Sequence, residues 1–271
     1  SCHSVPQEEG ARVPRDAVCI MDNEYVLETR ELTKEFKGFV ALRNVDLKVR
    51  RGTIHALIGP NGAGKTTCFN LLTRFLQPTR GRIFYRSKDI TSARAAAVAR
   101  MGLVRSFQIS AVFPHLTVLE NVRVALQRRR GESYDFWRPQ IILEGLNGRA
   151  RELIGAVGLS AYEDTVAVEL PYGRKRALEI ATTLALDPEV MLLDEPTAGM
   201  THQDVERIAA LIRTAAQNRT VLMVEHNLSV VADLCHYITV LARGEILAQG
   251  DYETVSRNRD VIQAYLGTAD G

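Results

Sequence analysis

Several features that would give a quick assignment are scarce or missing. Four cysteines, Cys2, Cys19, Cys68 and Cys235, are spread through 271 residues with no CxxC pair and no Cys/His ligand spacing. Neither a zinc site nor a disulfide framework is expected, and a reducing cytosol fits best. No run of about 18 uncharged apolar residues occurs, which excludes a transmembrane helix and a secretory signal core. Lys and Arg number 34 against 32 Asp and Glu, a net charge of +2. So small a balance predicts no coating of nucleic acid or of an anionic membrane by bulk charge, although it leaves a local basic patch open; no nucleic-acid partner is expected once the spacing of the motifs is counted. Internal repeats are absent, as is low-complexity sequence beyond residues 1–22. That opening stretch lacks sustained periodicity, and its first methionine is Met21; it is expected to be a flexible leader without function.

The remaining composition, 46% hydrophobic and 24% charged, is that of a globular chain able to bury a core. Alternating segments at Tyr25–Leu32 and Leu42–Val49 predict peripheral antiparallel strands. Apolar runs at Ile54–Ile58, Val190–Leu193, Val221–Val224 and Ile238–Leu241 alternate with helical stretches, the pattern of a parallel sheet covered on both faces. Helical signals replace strands between residues 109 and 160, and Thr117-Val118-Leu119-Glu120 fits a capping box. The fold class expected is therefore α/β, with a mixed or parallel sheet core, an N-terminal antiparallel part and an inserted helical subdomain. Residues 23–108 and 161–250 would form the core, 109–160 the insert and 251–267 a helical tail.

Gly59-Pro60-Asn61-Gly62-Ala63-Gly64-Lys65-Thr66 is a G-x4-G-K-[ST] loop between a buried strand and a helix, where its mechanism requires it. Its glycines let backbone N–H groups turn toward phosphate oxygens, and the helix N-terminus adds positive potential. Lys65 can reach the β- and γ-phosphates, Thr66 can ligate Mg²⁺, and Thr67 can add a hydroxyl near the α-phosphate. The run Val190–Glu195 delivers two carboxylates at a strand's C-terminal end, where open α/β sheets bind ligands. Asp194 is the candidate to help hold Mg²⁺, and Glu195 the candidate to polarise the attacking water. The site expected from these motifs is thus one for the phosphates of a nucleoside triphosphate and Mg²⁺. A GTPase or small-molecule kinase would use the same loop, but no NKxD guanine-reading motif is present.

From Tyr25 to Gly267 the chain resembles the ATP-binding subunit of ATP-binding-cassette transporters, a P-loop NTPase fold. Beyond the two phosphate motifs it matches the family's adenine-stacking aromatic at Phe36, its glutamine loop at Gln108 and its switch histidine at His226. Leu170-Pro171-Tyr172-Gly173-Arg174 matches the signature loop. The resemblance implies that Phe36 stacks on adenine, that Gln108 contacts Mg²⁺ and water while reporting to a membrane partner, and that His226 bonds the γ-phosphate and orients Glu195. The signature loop would act on ATP bound to a second cassette, a copy of this chain or a different one. Transmembrane permease subunits and, indirectly, a solute-binding protein are the other implied partners, and the cytoplasmic face of the inner or plasma membrane is the implied location.

Two positions depart from the family pattern. Pro171 stands where the commonest signature has a serine hydroxyl, and Thr201 where an aspartate often contacts the opposite subunit. These departures, the helical insert and the terminal VIQAYLG resemble the branched-chain amino-acid importer subfamily, whose urea and short-amide relatives share much of the pattern. A nucleic-acid-linked cassette ATPase is the rival, but the 105 residues separating Lys65 from Leu170 leave no room for a long coiled-coil arm. Arg128-Arg129-Arg130 with Tyr134, Phe136 and Trp137 could form a membrane-facing patch, although a charge run at a helix end is more often a solvated face.

Overall fold

The computed structural model of the chain describes residues 24–106, 112–129 and 140–266. Its strands are β1 (Tyr25–Phe36), β2 (Phe39–Val45), β3 (Lys48–Arg50), β4 (Ile54–Ile58), β5 (Arg80–Tyr85), β6 (Lys88–Asp89), β7 (Leu103–Arg105), β8 (Val190–Asp194), β9 (Thr220–Val224), β10 (Tyr237–Ala242) and β11 (Glu245–Gly250). The helices are α1 (Lys65–Leu72), α2 (Ala95–Arg100), α3 (Val118–Arg129), α4 (Gln140–Ala156), α5 (Tyr172–Ala185), α6 (His202–Ala215), α7 (Leu228–Leu234), α8 (Tyr252–Ser256) and α9 (Arg259–Leu266).

One sheet runs β11-β10-β4-β9-β8-β7, parallel from β10 to β7 with β11 antiparallel at the edge. Every residue of β4 and β9 is buried, as their unbroken apolar runs require of strands covered on both faces. A second, antiparallel sheet joins β2, β1, β5 and β6, with β3 also paired to β1. The segment Leu42–Val49, expected as one strand, breaks in two: Asn44 takes a left-handed φ of 48°, and the Asp46 carboxylate turns to accept from the Glu31 amide. The strands β5, β6, β7 and β11 were not anticipated. They are short or polar, and only pairing to neighbours defines them.

Between β7 and β8 the helices α3, α4 and α5 pack a shared apolar face of Val118, Val122, Leu153, Ile154, Leu178 and Ala181. The capping box that opens α3 forms as expected: Thr117 N–H donates to Glu120 Oε2 (2.8 Å) and Glu120 N–H to Thr117 Oγ1 (3.2 Å). Helix α1 stops at Leu72, where the Thr73 hydroxyl donates back to the Phe69 carbonyl (2.7 Å) and Arg74 turns left-handed at φ 63°. On the opposite face, Val255 of α8 and Val261 of α9 cover Ile58, Ile238 and Val240, so the tail helices rest beneath the strand that feeds the phosphate loop.

Candidate active site

Strand β4 ends in the loop 59–64, which packs against the end of β10. Gly59 sits at φ +150°, and a Cβ there would lie 2.0 Å from the Leu241 carbonyl oxygen, so the residue must be glycine. Ala63 is buried, and its carbonyl accepts from Gly244 N–H (3.1 Å). Gly64 caps α1 in the left-handed region. Pro60 is half-buried, whereas Asn61, Gly62 and Thr66 are exposed and Thr67 is partly so. Lys65, 6% exposed, donates from Nζ to the carbonyls of Gly59 (2.7 Å) and Pro60 (2.9 Å). Burial holds its ammonium below the usual lysine range, and the nearby charges of Glu195 and Asp194 oppose that shift. The loop and both strand-end carboxylates therefore share one electrostatic site.

Asp194 ends β8 and pairs with Arg105 of β7, whose side chain is almost fully enclosed. Arg105 also donates to Asn70 Oδ1 (2.6 Å) and lies over the Phe69 ring at 5.5 Å. Asp194 is thus tied to the helix that leaves the phosphate loop. Glu195 takes φ +48°, a strained value for a residue with a side chain, and its amide donates to the Val224 carbonyl of β9 (2.9 Å). Its Oε1 lies 2.7 Å from His226 Nε2. A carboxylate and an imidazole held within hydrogen-bond distance, both partly open to solvent, can orient a water and take its proton.

The signature loop is built separately. Leu170 is buried, Pro171 forms the N-cap of α5 at ψ 152°, and no side chain caps the helix. The helix starts at Tyr172, because the extended Pro171 already presents its carbonyl to Arg174 N–H (2.9 Å) and Lys175 N–H (3.0 Å). Tyr172 is 48% exposed, and its hydroxyl accepts from Arg176 Nη2 (2.7 Å). A Cβ on Gly173 would lie 2.8–3.1 Å from the Asp204 carboxylate. That carboxylate accepts from Thr201 Oγ1 (3.0 Å) and Arg207 Nη1 (2.9 Å), while Thr201 caps α6. Thr201, singled out in the sequence as a departure, therefore bonds a side chain that occupies the space a Cβ on Gly173 would need.

Phe36 is 41% exposed at the tip of the β1–β2 hairpin, with Lys34 Nζ 4.9 Å from its ring centroid. The same hairpin brings Ala41 and Leu42 against Gly64. Gln108 lies outside the described residues, as do Arg130, Tyr134, Phe136 and Trp137 of the possible patch. Two charged residues that the sequence reading passed over prove central, Arg105 and the buried Glu225. The signal available was a charge terminating an otherwise fully buried strand, in LVR of β7 and directly after TVLMV of β9.

Residues 42–198 match the family described as ABC transporter, and residues 245–271 match one described as branched-chain amino acid ATP-binding cassette transporter. The chain is 39% identical over 254 residues to LivG of Salmonella typhimurium, a high-affinity branched-chain amino acid transport ATP-binding protein, covering 90% of this chain and 98% of that one. BraF of Pseudomonas aeruginosa, named for the same transport role, is 37% identical over 251 residues with the same coverage. Among solved structures, the ADP conformation of MJ1267, an ATP-binding cassette of an ABC transporter, superposes with a TM-score of 0.78 at 29% identity, covering 90% of this chain and 99% of that one.

Proposed function

We propose a specific task for this chain, which belongs to the ABC transporter family and is one of its ATPase cassettes: it powers import of branched-chain, hydrophobic amino acids. The observation that carries this reading is similarity to branched-chain amino acid transport cassettes over nine-tenths of the chain, reaching into the C-terminal segment 245–271. No described helix is long and apolar enough to cross a membrane, and in this reading the solute path belongs to transmembrane permease subunits. The cassette would sit at their cytoplasmic face, pair with a second cassette and answer indirectly to a solute-binding protein.

The backbone of residues 59–67 would hold the phosphates of ATP, with Lys65 moving from the Gly59 and Pro60 carbonyls onto the β- and γ-phosphates. No group of three or more His, Cys, Asp or Glu side chains among the described residues could hold a metal. The exposed Thr66 hydroxyl and Asp194 offer two oxygens, a donor set that fits Mg²⁺, which binds through few protein ligands plus water and phosphate. There the ion would neutralise charge on the phosphates. Gln108 would join this end of the site. Glu195, oriented by His226, would accept a proton from water as the water oxygen bonds to the γ-phosphorus and the bond to the β,γ-bridging oxygen breaks. Leu170, Pro171, Tyr172 and Gly173 would face the γ-phosphate bound on the partner cassette, and Phe36 would stack on adenine.

Replacing Glu195 by Gln keeps the shape and removes the base. ATP binding should persist while kcat falls by roughly 10²–10⁴-fold. Turnover near the wild-type rate would overturn the assignment of the base. The solute assignment is tested by gentle extraction from native membranes and by uptake of radiolabelled leucine into vesicles holding the co-purified complex. Co-purifying permeases with ATP-dependent leucine uptake support it, and a complex that moves urea but no leucine would overturn it.

A further inference from the structure

Strand β9 is buried at all five positions, and the next residue, Glu225, is 2% exposed. A carboxylate in that position is costly unless hydrogen bonds replace its water. They do so on both oxygens. Oε1 accepts from the Thr197 amide (3.1 Å) and from the Thr197 hydroxyl, and Oε2 accepts from the amides of His226 (2.7 Å) and Asn227 (3.1 Å). Thr197 lies two residues after Glu195, in the loop that continues toward Thr201, and His226 directly follows Glu225. One carboxylate therefore staples together the two backbone segments whose side chains, Glu195 and His226, meet at 2.7 Å.

We infer that Glu225 is a positioning residue for ATP hydrolysis, locking the loop after Glu195 to the loop bearing His226 so that the two side chains hold one relative geometry. Three features support that role over simple filling of space. Glu195 is held at a φ of +48°, a conformation that persists only where surrounding contacts over-determine it. Its amide is already fixed to Val224, the residue before Glu225, so the staple closes a short circuit around Glu195. Three of the four groups that bond Glu225 are backbone N–H donors that cannot accept, and the fourth is the Thr197 hydroxyl, so a carboxylate satisfies all four whereas an amide would set its NH₂ against a backbone N–H. Asn227 extends the arrangement, because its side chain accepts from Ser229 N–H (3.1 Å) and Val230 N–H (3.4 Å) and starts α7. The loop after Glu195, which the family pattern directs at the opposite subunit, and the switch histidine should accordingly move together.

The test is steady-state ATP hydrolysis by the full-length chain, with thermal unfolding measured alongside. Glu225→Gln keeps size and places an NH₂ against donors. It should lower kcat roughly 10- to 100-fold, the usual cost of losing an outer group that orients an active one, with KM for ATP within about twofold of wild type. Thr197→Val removes a single hydroxyl and should lower kcat less, and Thr197→Ser should restore it. The double variant Glu225→Gln/Thr197→Val should lose less than the two single losses combined, because both act on one network. A kcat for Glu225→Gln within about threefold of wild type, or a rise in KM that accounts for the whole loss, would overturn the inference. If Glu225→Gln does not fold, the Thr197→Val and Thr197→Ser pair decides: equal kcat values in the two overturn it. A wild-type chain that hydrolyses ATP separates failure of this inference from failure of the ATPase itself.

Discussion

Helices α1 and α5 both begin at loops whose chemistry suits an anion, yet the first folds its charged side chain inward and the second keeps its side chains outward. At α1, Ala63 and Lys65 are buried, Gly64 turns the chain, and Lys65 is folded onto the loop's own carbonyls. At α5, Pro171 caps without a side-chain hydrogen bond, Tyr172 faces solvent, and the close neighbour is Asp204 of α6. The first loop holds its shape through residues adjacent in sequence and the strand end beside it. The second lies beside Asp204 of a different helix, with Tyr172 open to solvent. Two similar helix ends are thus distinguished by what surrounds them, β10 and the loop's own carbonyls at one and Asp204 of α6 at the other.

The largest effect that would break this contrast is expected at Gly59. Gly59→Ala places a Cβ 2.0 Å from a backbone oxygen of β10, with no flexible side-chain end to move aside. Overpacking together with an unfavourable φ should cost about 3–5 kcal/mol and abolish ATP binding. Denaturant unfolding and a nucleotide-binding titration check it; near wild-type behaviour in both would mean the loop is not held by β10.

A smaller effect tests the strand beneath that loop by pH. His55 in β4 is fully buried, its Nε2 shares a hydrogen bond with Thr239 Oγ1 (2.8 Å), and burial drives its pKa down to about 3. The unfolded imidazole titrates near 6.5, so between these values the unfolded chain binds the extra proton. His55 therefore contributes stability that is present above about pH 6.5 and is lost as pH falls toward 3, with a limiting slope of about 1.4 kcal/mol per pH unit. His55→Gln should flatten the unfolding free energy against pH in that window. An unchanged slope would show that the strand under the phosphate loop is not the acid-sensitive element.

At α5 the corresponding change is milder, because what a Cβ on Gly173 meets is the end of a side chain. Gly173→Ala should cost about 1 kcal/mol, and Asp204→Ala in the same chain should recover most of it, giving a clear coupling in a double-mutant cycle. Additive costs would mean that the Thr201–Asp204 pair does not shape the signature loop.

The same contrast explains what was legible in the sequence. The phosphate loop, the strand-end pair Asp194-Glu195 and the Thr117–Glu120 capping box are local patterns, each written in residues adjacent or nearly adjacent in sequence, and they could be recognised without coordinates. The parallel core was visible because strands buried on both faces read as unbroken apolar runs. Arg105, Glu225 and Asp204 were not legible in that way. Their partners, Asp194, Thr197 and Gly173, are 89, 28 and 31 residues away, and nothing in the spacing announces those meetings. The short strands β6 and β7 were missed for the same reason, since a neighbouring strand defines them more than their own composition does. A charge that ends a wholly buried strand is the one signal that would have pointed to two of the three.

The smallest expected effect concerns the residue that most separates this signature loop from the commonest one. Pro171 holds φ at −55°, within the range its ring imposes, and lacks the hydroxyl a serine would offer. Pro171→Ser gives α5 a side-chain cap worth about 1 kcal/mol and frees the unfolded chain at a cost of about 0.4–1 kcal/mol, so unfolding should move by no more than about 0.6 kcal/mol. In the assembled transporter, the new hydroxyl could donate to the phosphate on the opposite cassette. One net hydrogen bond of about 1 kcal/mol formed in the transition state would raise kcat by about fivefold. ATP turnover of the reconstituted complex at saturating ATP is the measurement. A rise places this open helix start against the partner's nucleotide, as its exposure and missing cap suggest. A fall in turnover with unchanged stability would mean that the rigid Pro171, not an added donor, is what sets the loop for its partner, and the contrast between the two helix starts would rest on backbone shape rather than on hydrogen bonding.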